Sequence, residues 1–310
     1  MRKPAPLPPQ LSRSGFTVRE GREAGLSAGQ LRGKGMERLG RGLRAPTARA
    51  LELAERVGPY TRFSPDCAAS HETAAVLWYF PAPAGGWDMG VLHISRPRGL
   101  AAVERPHVVG HHIQLPADEV TSLGGLYLTT RPRTWLDLAA SVGIGHLVVL
   151  ADHLVRIPRP EFEGRTEPFA TVQELQMMIV RHRGKHGIRA ARAAVELCRV
   201  GSDSPQETRL RLAMLDAGLP EPQLNRPIRD AAGQLIHTPD LSYPELKVSI
   251  DYEGGGHGAP DQVDRDIARS ERLAAAGWTE VRISKRHMAG GAEAAIRKIA
   301  AALRNAGWPA

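Results

Sequence analysis

Asp240, Asp251 and Glu253 are the residues of this chain whose types and spacing best suit chemistry, and His257 follows them closely. All four lie in TPDLSYPELKVSIDYEGGGH, residues 238–257. Val248, Ile250 and Tyr252 alternate with Ser249, Asp251 and Glu253. That period of two predicts a half-buried strand with both carboxylates on one face. Tyr243-Pro244-Glu245 predicts a tight reversal between two antiparallel strands, the first ending at Asp240. Pairing centred on Pro244 and Glu245 sets Asp240 opposite Ser249, on the face of Asp251 and Glu253; a slip of one residue would reverse that face. Three carboxylates converging on a sheet repel one another unless a cation sits among them, and hard cations such as Mg²⁺ take all-oxygen sites. The plainer alternative for an Asp-x-Glu pair is the solvated face of an edge strand.

The elements that must position these side chains are legible on either side. Ser202 to Ala217 predicts a helix with Ser204 at its N-cap and Pro205 in its first position. An extended segment, Gln223 to Ile228, leads through a turn at Asp230-Ala231-Ala232-Gly233 to the two strands. A helix from about Gln262 to Ala276 stops at Gly277. A strand, Glu280 to Ser284, and an amphipathic helix, Ala292 to Asn305, complete the order α-β-β-β-α-β-α, an α/β sandwich on a mixed sheet. Arg265, Arg269 and Arg272 are spaced four and three apart, on one helical face. With Arg282, Lys285 and Arg286 they form a candidate phosphate-contacting set. Trp278, Trp135 and Trp78 are expected to anchor cores.

Residues 201–305, roughly a third of the chain, resemble the PD-(D/E)XK nuclease superfamily and within it the Vsr-like group of very-short-patch repair endonucleases. The likeness is carried by Ser204-Pro205-Gln206-Glu207-Thr208, Pro239-Asp240, Asp251-Tyr252-Glu253-Gly254, His257, Asp266-Ile267-Ala268-Arg269, Gly277-Trp278 and Val281-Arg282-Ile283. It implies a restriction-endonuclease-like αβββαβα core and Mg²⁺-dependent hydrolysis of phosphodiester bonds, with Mn²⁺ as a substitute ion. Asp240 and Asp251 would take the two acidic metal positions and Glu207 would reach the same metal, unless it is merely a first-turn Glu complementing the helix dipole. His257 would act as general base or position the attacking water. The chain departs from the archetype in placing Glu253 where a Lys stands. It also has Asp-x-Glu-Gly where the Vsr-like group has Glu-x-Asp-Gly, which shifts each carboxylate by one methylene.

The chain has 310 residues, enough for two or three domains, and 42% hydrophobic residues, as globular proteins have. A net charge of +8 and a pI near 9.9 favour polyanions, nucleic acid before an acidic membrane. Cys67 and Cys198 stand far apart without metal-like neighbours and are expected to be reduced in a cytoplasmic protein. The start, MRKPAPLPPQ, has no apolar stretch behind it, which argues against secretion. The most apolar run, His146 to Val155, is too short to span a bilayer.

Between Phe16 and Ala45, Thr17 is expected to cap a helix over Val18 to Ala24 and Ser27 a second one through Leu31, with basic residues following at Arg32, Lys34, Arg38, Arg41 and Arg44. This predicts a small winged helix-turn-helix. It resembles the N-terminal domain of AbiEi-type antitoxins, marked by Gly25-Leu26-Ser27 and Arg41-Gly42. Ala28 to Arg32 would then be the recognition element, with phosphate contacts expected from Arg32, Lys34 and Arg41.

The AbiEi-like likeness continues from Ala68 to Val155. Ser70 opens a helix, Leu92 to Ser95 and Val108 to His112 are strands, and Leu128 to Leu138 leads a strand into a helix. His71, His111 and His112 lack zinc-site spacing and are assigned structural roles. Arg133 and Asp137, four apart, are expected to pair. Arg156 to Pro168 is expected to be a loop or hinge, and Thr171 to Leu197 a basic helical stretch.

Four segments result: 1–50 winged-helix-like, 51–160 an α+β AbiEi-like region, 161–200 a helical linker, and 201–310 the nuclease-like domain. The expected function is a DNA-binding, Mg²⁺-dependent endodeoxyribonuclease, with RNA and homodimerisation left open and no membrane partner. The alternative is a catalytically degenerate DNA-binding regulator.

Overall fold

A computed structural model describes residues 7–8, 11, 15–33, 35–40, 42–46, 52–62, 66–101, 103–254 and 260–309. It is a mixed α/β protein that divides into two compact units. One comprises residues 1–142 and 177–191, the other 143–176 and 192–310. The division differs from the expected four segments, because the 161–200 stretch is shared between the units and the helix beginning at Ile144 joins the second.

In the first unit, β1 (Phe16–Thr17) runs into α1 (Val18–Glu23), where Thr17 and Glu20 exchange side-chain and backbone hydrogen bonds in a capping box. β2 (Met36–Gly40) and β3 (Leu43–Pro46) complete a three-stranded antiparallel sheet in the order β1-β3-β2. Phe16, Leu26 and Leu31 fill its small core. The expected second helix is only a 3₁₀ turn, Gln30–Arg32. Ser27 and Gln30 close that turn on each other, and Gly29 and Gly33 bracket it, leaving too few helix-favouring residues to nucleate a longer helix.

After α2 (Leu53–Thr61), a five-stranded mixed sheet is built in the order β6-β5-β4-β8-β7. Its strands are β4 (Ala68–Ala69), β5 (Leu92–Pro97), β6 (Val108–Ile113), β7 (Val120–Leu123) and β8 (Leu126–Thr129). β7 and β8 are joined by Gly124-Gly125, both at positive φ (56° and 79°), the glycine pair that a two-residue hairpin turn favours. α3 (His71–Leu77) and α4 (Arg131–Leu138) pack together, with Trp135, Leu136 and Leu138 fully buried. Arg133 is also buried. It pairs with Asp137 at 2.9 Å, as the i, i+4 spacing predicted, and with Glu119.

The second unit opens on α5 (Ile144–Val155), whose first turn is exposed and which is buried from Leu147 onward except at His153. Its Asp152 accepts hydrogen bonds from Arg211 (2.9 Å), Thr208 (3.0 Å) and the Arg199 amide (2.8 Å). The expected hinge after it contains a single helical turn, α6 (Pro160–Glu163), in which Arg156 and Arg165 both grip Glu163. α7 (Val172–Arg181) and α8 (Ile188–Leu197) each contain a boundary between the units.

α9 (Pro205–Asp216) begins as predicted, with Ser204 as N-cap. β9 (Gln223–Leu224) is followed by a separate hairpin of β10 (Ile228–Arg229) and β11 (Leu235–His237). Then come β12 (Leu241–Tyr243), β13 (Val248–Glu253), α10 (Pro260–Ala275), β14 (Thr279–Ser284) and α11 (Glu293–Asn305). The sheet order is β14-β13-β12-β9, with β13 and β14 parallel and the other pairs antiparallel. Leu210 and Met214 of α9 and Ile299 and Leu303 of α11 share one core with Leu241, Val248, Ile250, Val281 and Ile283. Among the described residues, no helix is long and apolar enough to cross a membrane.

Candidate functional site

The hairpin around Pro244 sets the carboxylates. β12 and β13 pair as Leu241↔Ile250, Ser242↔Ser249 and Tyr243↔Val248. Continued one step, that register sets Asp240 opposite Asp251, two residues from the expected partner Ser249. A shift of two keeps the face, so the two acids still meet. The cause is the connection: Pro244–Leu246 forms a 3₁₀ turn and Lys247 closes it at φ 50°, a longer reversal than the predicted Tyr243-Pro244-Glu245. Asp240 therefore stands just before its strand rather than ending the preceding one. The Leu235–His237 segment pairs elsewhere, with β10. Nor is β13 half-buried along its length, because Val248, Ser249 and Ile250 are all buried.

Asp240 accepts a 2.6 Å hydrogen bond from the Tyr252 amide. Its carboxyl is nonetheless pushed up to about 6 by burial, with the charge of Asp251 adding to the rise. Glu207 is buried, not a solvated first-turn residue, and accepts a 2.8 Å bond from the Asp203 amide. Burial first, and then the charge of Asp240, push its pKa up to about 7. Asp251 receives one partner that sequence reasoning missed: His237 Nε2 lies 2.7 Å from its Oδ1. The other oxygen, Oδ2, is buried with no hydrogen-bond partner among the described residues. The signal for His237 was its place two residues before Pro239-Asp240 in an apolar run, hidden while that run was read as the partner strand of β13.

Glu253 stands apart from this group. It is exposed at the end of β13 and pairs with Arg282 at 3.4 Å. Arg282 lies beside Asp251 in the parallel register and also bonds Glu280 and Ser270. Arg269 is likewise engaged, with Asp266 (3.2 Å) and Glu280 (3.3 Å). Arg265 is exposed on α10, and Arg32 is exposed on the 3₁₀ turn of the first unit. His257, Lys34 and Arg41 lie outside the described residues.

Glu207, Asp240 and Asp251 do not bring three oxygen ligands within 4.8 Å of one another; among the described residues one trio does, His71, His93 and His111. The trio includes His71 and His111, for which the sequence predicts structural roles, and His93, which its sequence context does not single out. His112, the remaining candidate, is exposed and outside the trio. The sequence spacing of the three carries no metal signature because a helix start and two parallel strands assemble them. Burial holds His71 down to about 3 and, with the neighbouring His93, His111 down to about 4, so both rings are neutral at pH 7.

Over 111 residues the chain is 33% identical to uncharacterized protein MT2308 of Mycobacterium tuberculosis (strain CDC 1551 / Oshkosh), an alignment taking 36% of this chain and 41% of that one. The same figures hold for uncharacterized protein Rv2248 of Mycobacterium tuberculosis (strain ATCC 25618 / H37Rv). The chain thus spans about two fifths of the length of the curated relatives it matches. No family model matches it, and no solved structure does.

Proposed function

We propose that the chain is a DNA-binding endonuclease that hydrolyses phosphodiester bonds with a divalent ion, Mg²⁺ or Mn²⁺, held at Asp240, Asp251 and Glu207. The observation that carries the reading is the position of Asp240 one residue beyond the Leu241↔Ile250 pair, where the charge of Asp251 reaches it, with buried Glu207 close enough to feel Asp240's charge. The chemistry of the donors, rather than their present spacing, suits a hard cation. They are carboxylates, two of them are reluctant to ionise without a countercharge, and Asp251 Oδ2 is buried and unpartnered.

Such an ion would neutralise the scissile phosphate and acidify a bound water. The chain's own residues then divide the remaining work. His237 orients Asp251 through its Oδ1, and the Tyr252 amide fixes Asp240. Arg282 supplies a guanidinium beside Asp251, close to where Glu253 replaces the archetypal Lys. His257 is the proposed base. A basic chain of +8 suits a polyanionic substrate.

Calorimetric titration with Mn²⁺ tests the site. Wild type should bind saturably and release protons on binding, more tightly at pH 8 than at pH 5.5, because the acids must ionise first. Asp251→Asn should abolish that binding. Unchanged binding in the variant would refute the assignment.

A second reading, a DNA-binding regulator without catalysis, draws on one observation: Glu253, Arg282, Arg269 and Glu280 are engaged with one another. It requires DNA binding that neither divalent ions nor Asp240→Asn alters.

A further inference from the structure

His93 and His111 lie on the parallel strands β5 and β6, whose register pairs His93 with Val109 and Ser95 with His111. The two histidines are therefore diagonal neighbours on one face, with His93 Nδ1 3.0 Å from His111 Nε2. Nitrogens bound tetrahedrally to one ion at about 2.0–2.1 Å stand about 3.3 Å apart, so this pair is already close to a chelating separation. His71 completes the group from the start of α3. It sits at φ 49°, a backbone conformation that disfavours any residue but glycine and is retained where surrounding structure demands it. Its Nδ1 lies 3.0 Å from Ser70 Oγ, which in turn accepts a 2.7 Å bond from Ser95. If Nδ1 donates, Nε2 is left with its lone pair free, the tautomer a ligating histidine needs.

The surroundings contribute a second feature. The trio opens on a cavity of about 610 Å³ shared with Arg98, Arg133, Asp137 and Lys185. Asp137 is fully buried, and its Oδ2 has no hydrogen-bond partner among the described residues. A carboxylate behind metal-bound histidines is the usual arrangement for fixing their orientation.

We propose that His71, His93 and His111 form a site for a borderline divalent ion of the zinc type, with its fourth position open to the basic cavity. An all-imidazole set of three suits Zn²⁺ or Co²⁺ rather than Mg²⁺, so this site is chemically distinct from the carboxylates of the other unit. His71 lies stacked on His111, with ring centroids 3.8 Å apart and planes at 16°. Parallel rings cannot aim both lone pairs at one point, so binding turns one of them out of the stack.

The test is titration of chelator-stripped full-length protein with Co²⁺, followed by its visible absorption and by displacement with Zn²⁺. The expected result is one tight equivalent per chain. His93→Gln and His111→Gln should each weaken it by at least about ten-fold. His112→Ala should leave it intact. Mass-spectrometric mapping of histidine acylation on wild type adds a readout that needs no variant: Zn²⁺ should protect His71, His93 and His111 but not His112. The proposal is overturned if wild type shows no Co²⁺ spectrum, if both glutamine variants bind as wild type does, or if Zn²⁺ leaves the trio's acylation unchanged.

Discussion

Folding makes Glu207 harder to ionise. Its carboxyl has an ordinary value of 4.5 and stands at about 7 here, raised first by burial. A raised acid stabilises the fold fully below about 4.5, and that contribution is lost as pH rises through about 7. Glu207→Gln removes the charge but keeps an acceptor for the Asp203 amide. In metal-free buffer it should add about 3 kcal/mol of stability at pH 8 and almost nothing at pH 4.5. Denaturant unfolding at the two pH values checks this, and an equal effect at both would count against it. Arg133 presents the opposite case. Buried between Glu119 and Asp137, it compensates two carboxylates that have no water to turn to. Arg133→Leu should cost about 3 kcal/mol or more, read as a drop in the urea midpoint; a loss below about 1 kcal/mol would mean that His182 and Lys185 suffice. The Arg133–Asp137 pair was legible because both residues share one helix. Glu119 and His237 were not, because their partners lie 14 residues away in sequence and meet them only once the chain has folded.

Elements with strong local signals formed as their sequences indicate. α9 starts at the Ser204 cap, and β13 and β14 carry the expected residues. Period-two alternation fixed which face Asp240 and Asp251 share, while the turn length, which alternation does not encode, fixed their partners. The short β10–β11 hairpin and the 3₁₀ turn at Gln30–Arg32 escaped because two or three residues offer no period to read. One connection can be tested directly. Gly187, at φ 82°, lies against the end of α4, where an added Cβ would come 2.5 Å from the Ala139 carbonyl carbon. Backbone atoms cannot step aside as a side chain would. Gly187→Ala should therefore lower stability by at least about 2 kcal/mol and loosen the Lys185–Asp137 pair. Thermal unfolding within about 1 °C of wild type would contradict this.

At the scale of the whole chain, a surplus of eight positive charges is the feature most relevant to a nucleic-acid partner. Phosphate contacts release counterions, so DNA affinity should fall by more than about ten-fold between about 50 and 200 mM salt. A filter-binding series reads this, and salt-independent binding would argue against a phosphate-dominated interface. Composition indicated a basic globular protein and element order an α/β one, but not that the 143–176 segment belongs with the C-terminal unit, since that depends on buried partners such as Asp152 and Arg211. The most direct measurement is a time course of supercoiled plasmid with Mg²⁺, using wild type and Asp251→Asn purified side by side. Metal-dependent nicking by wild type that is lost in Asp251→Asn is the expected result. Equal cleavage by the two proteins, or none by a folded and DNA-bound wild type, would contradict a nuclease centred on Asp240 and Asp251.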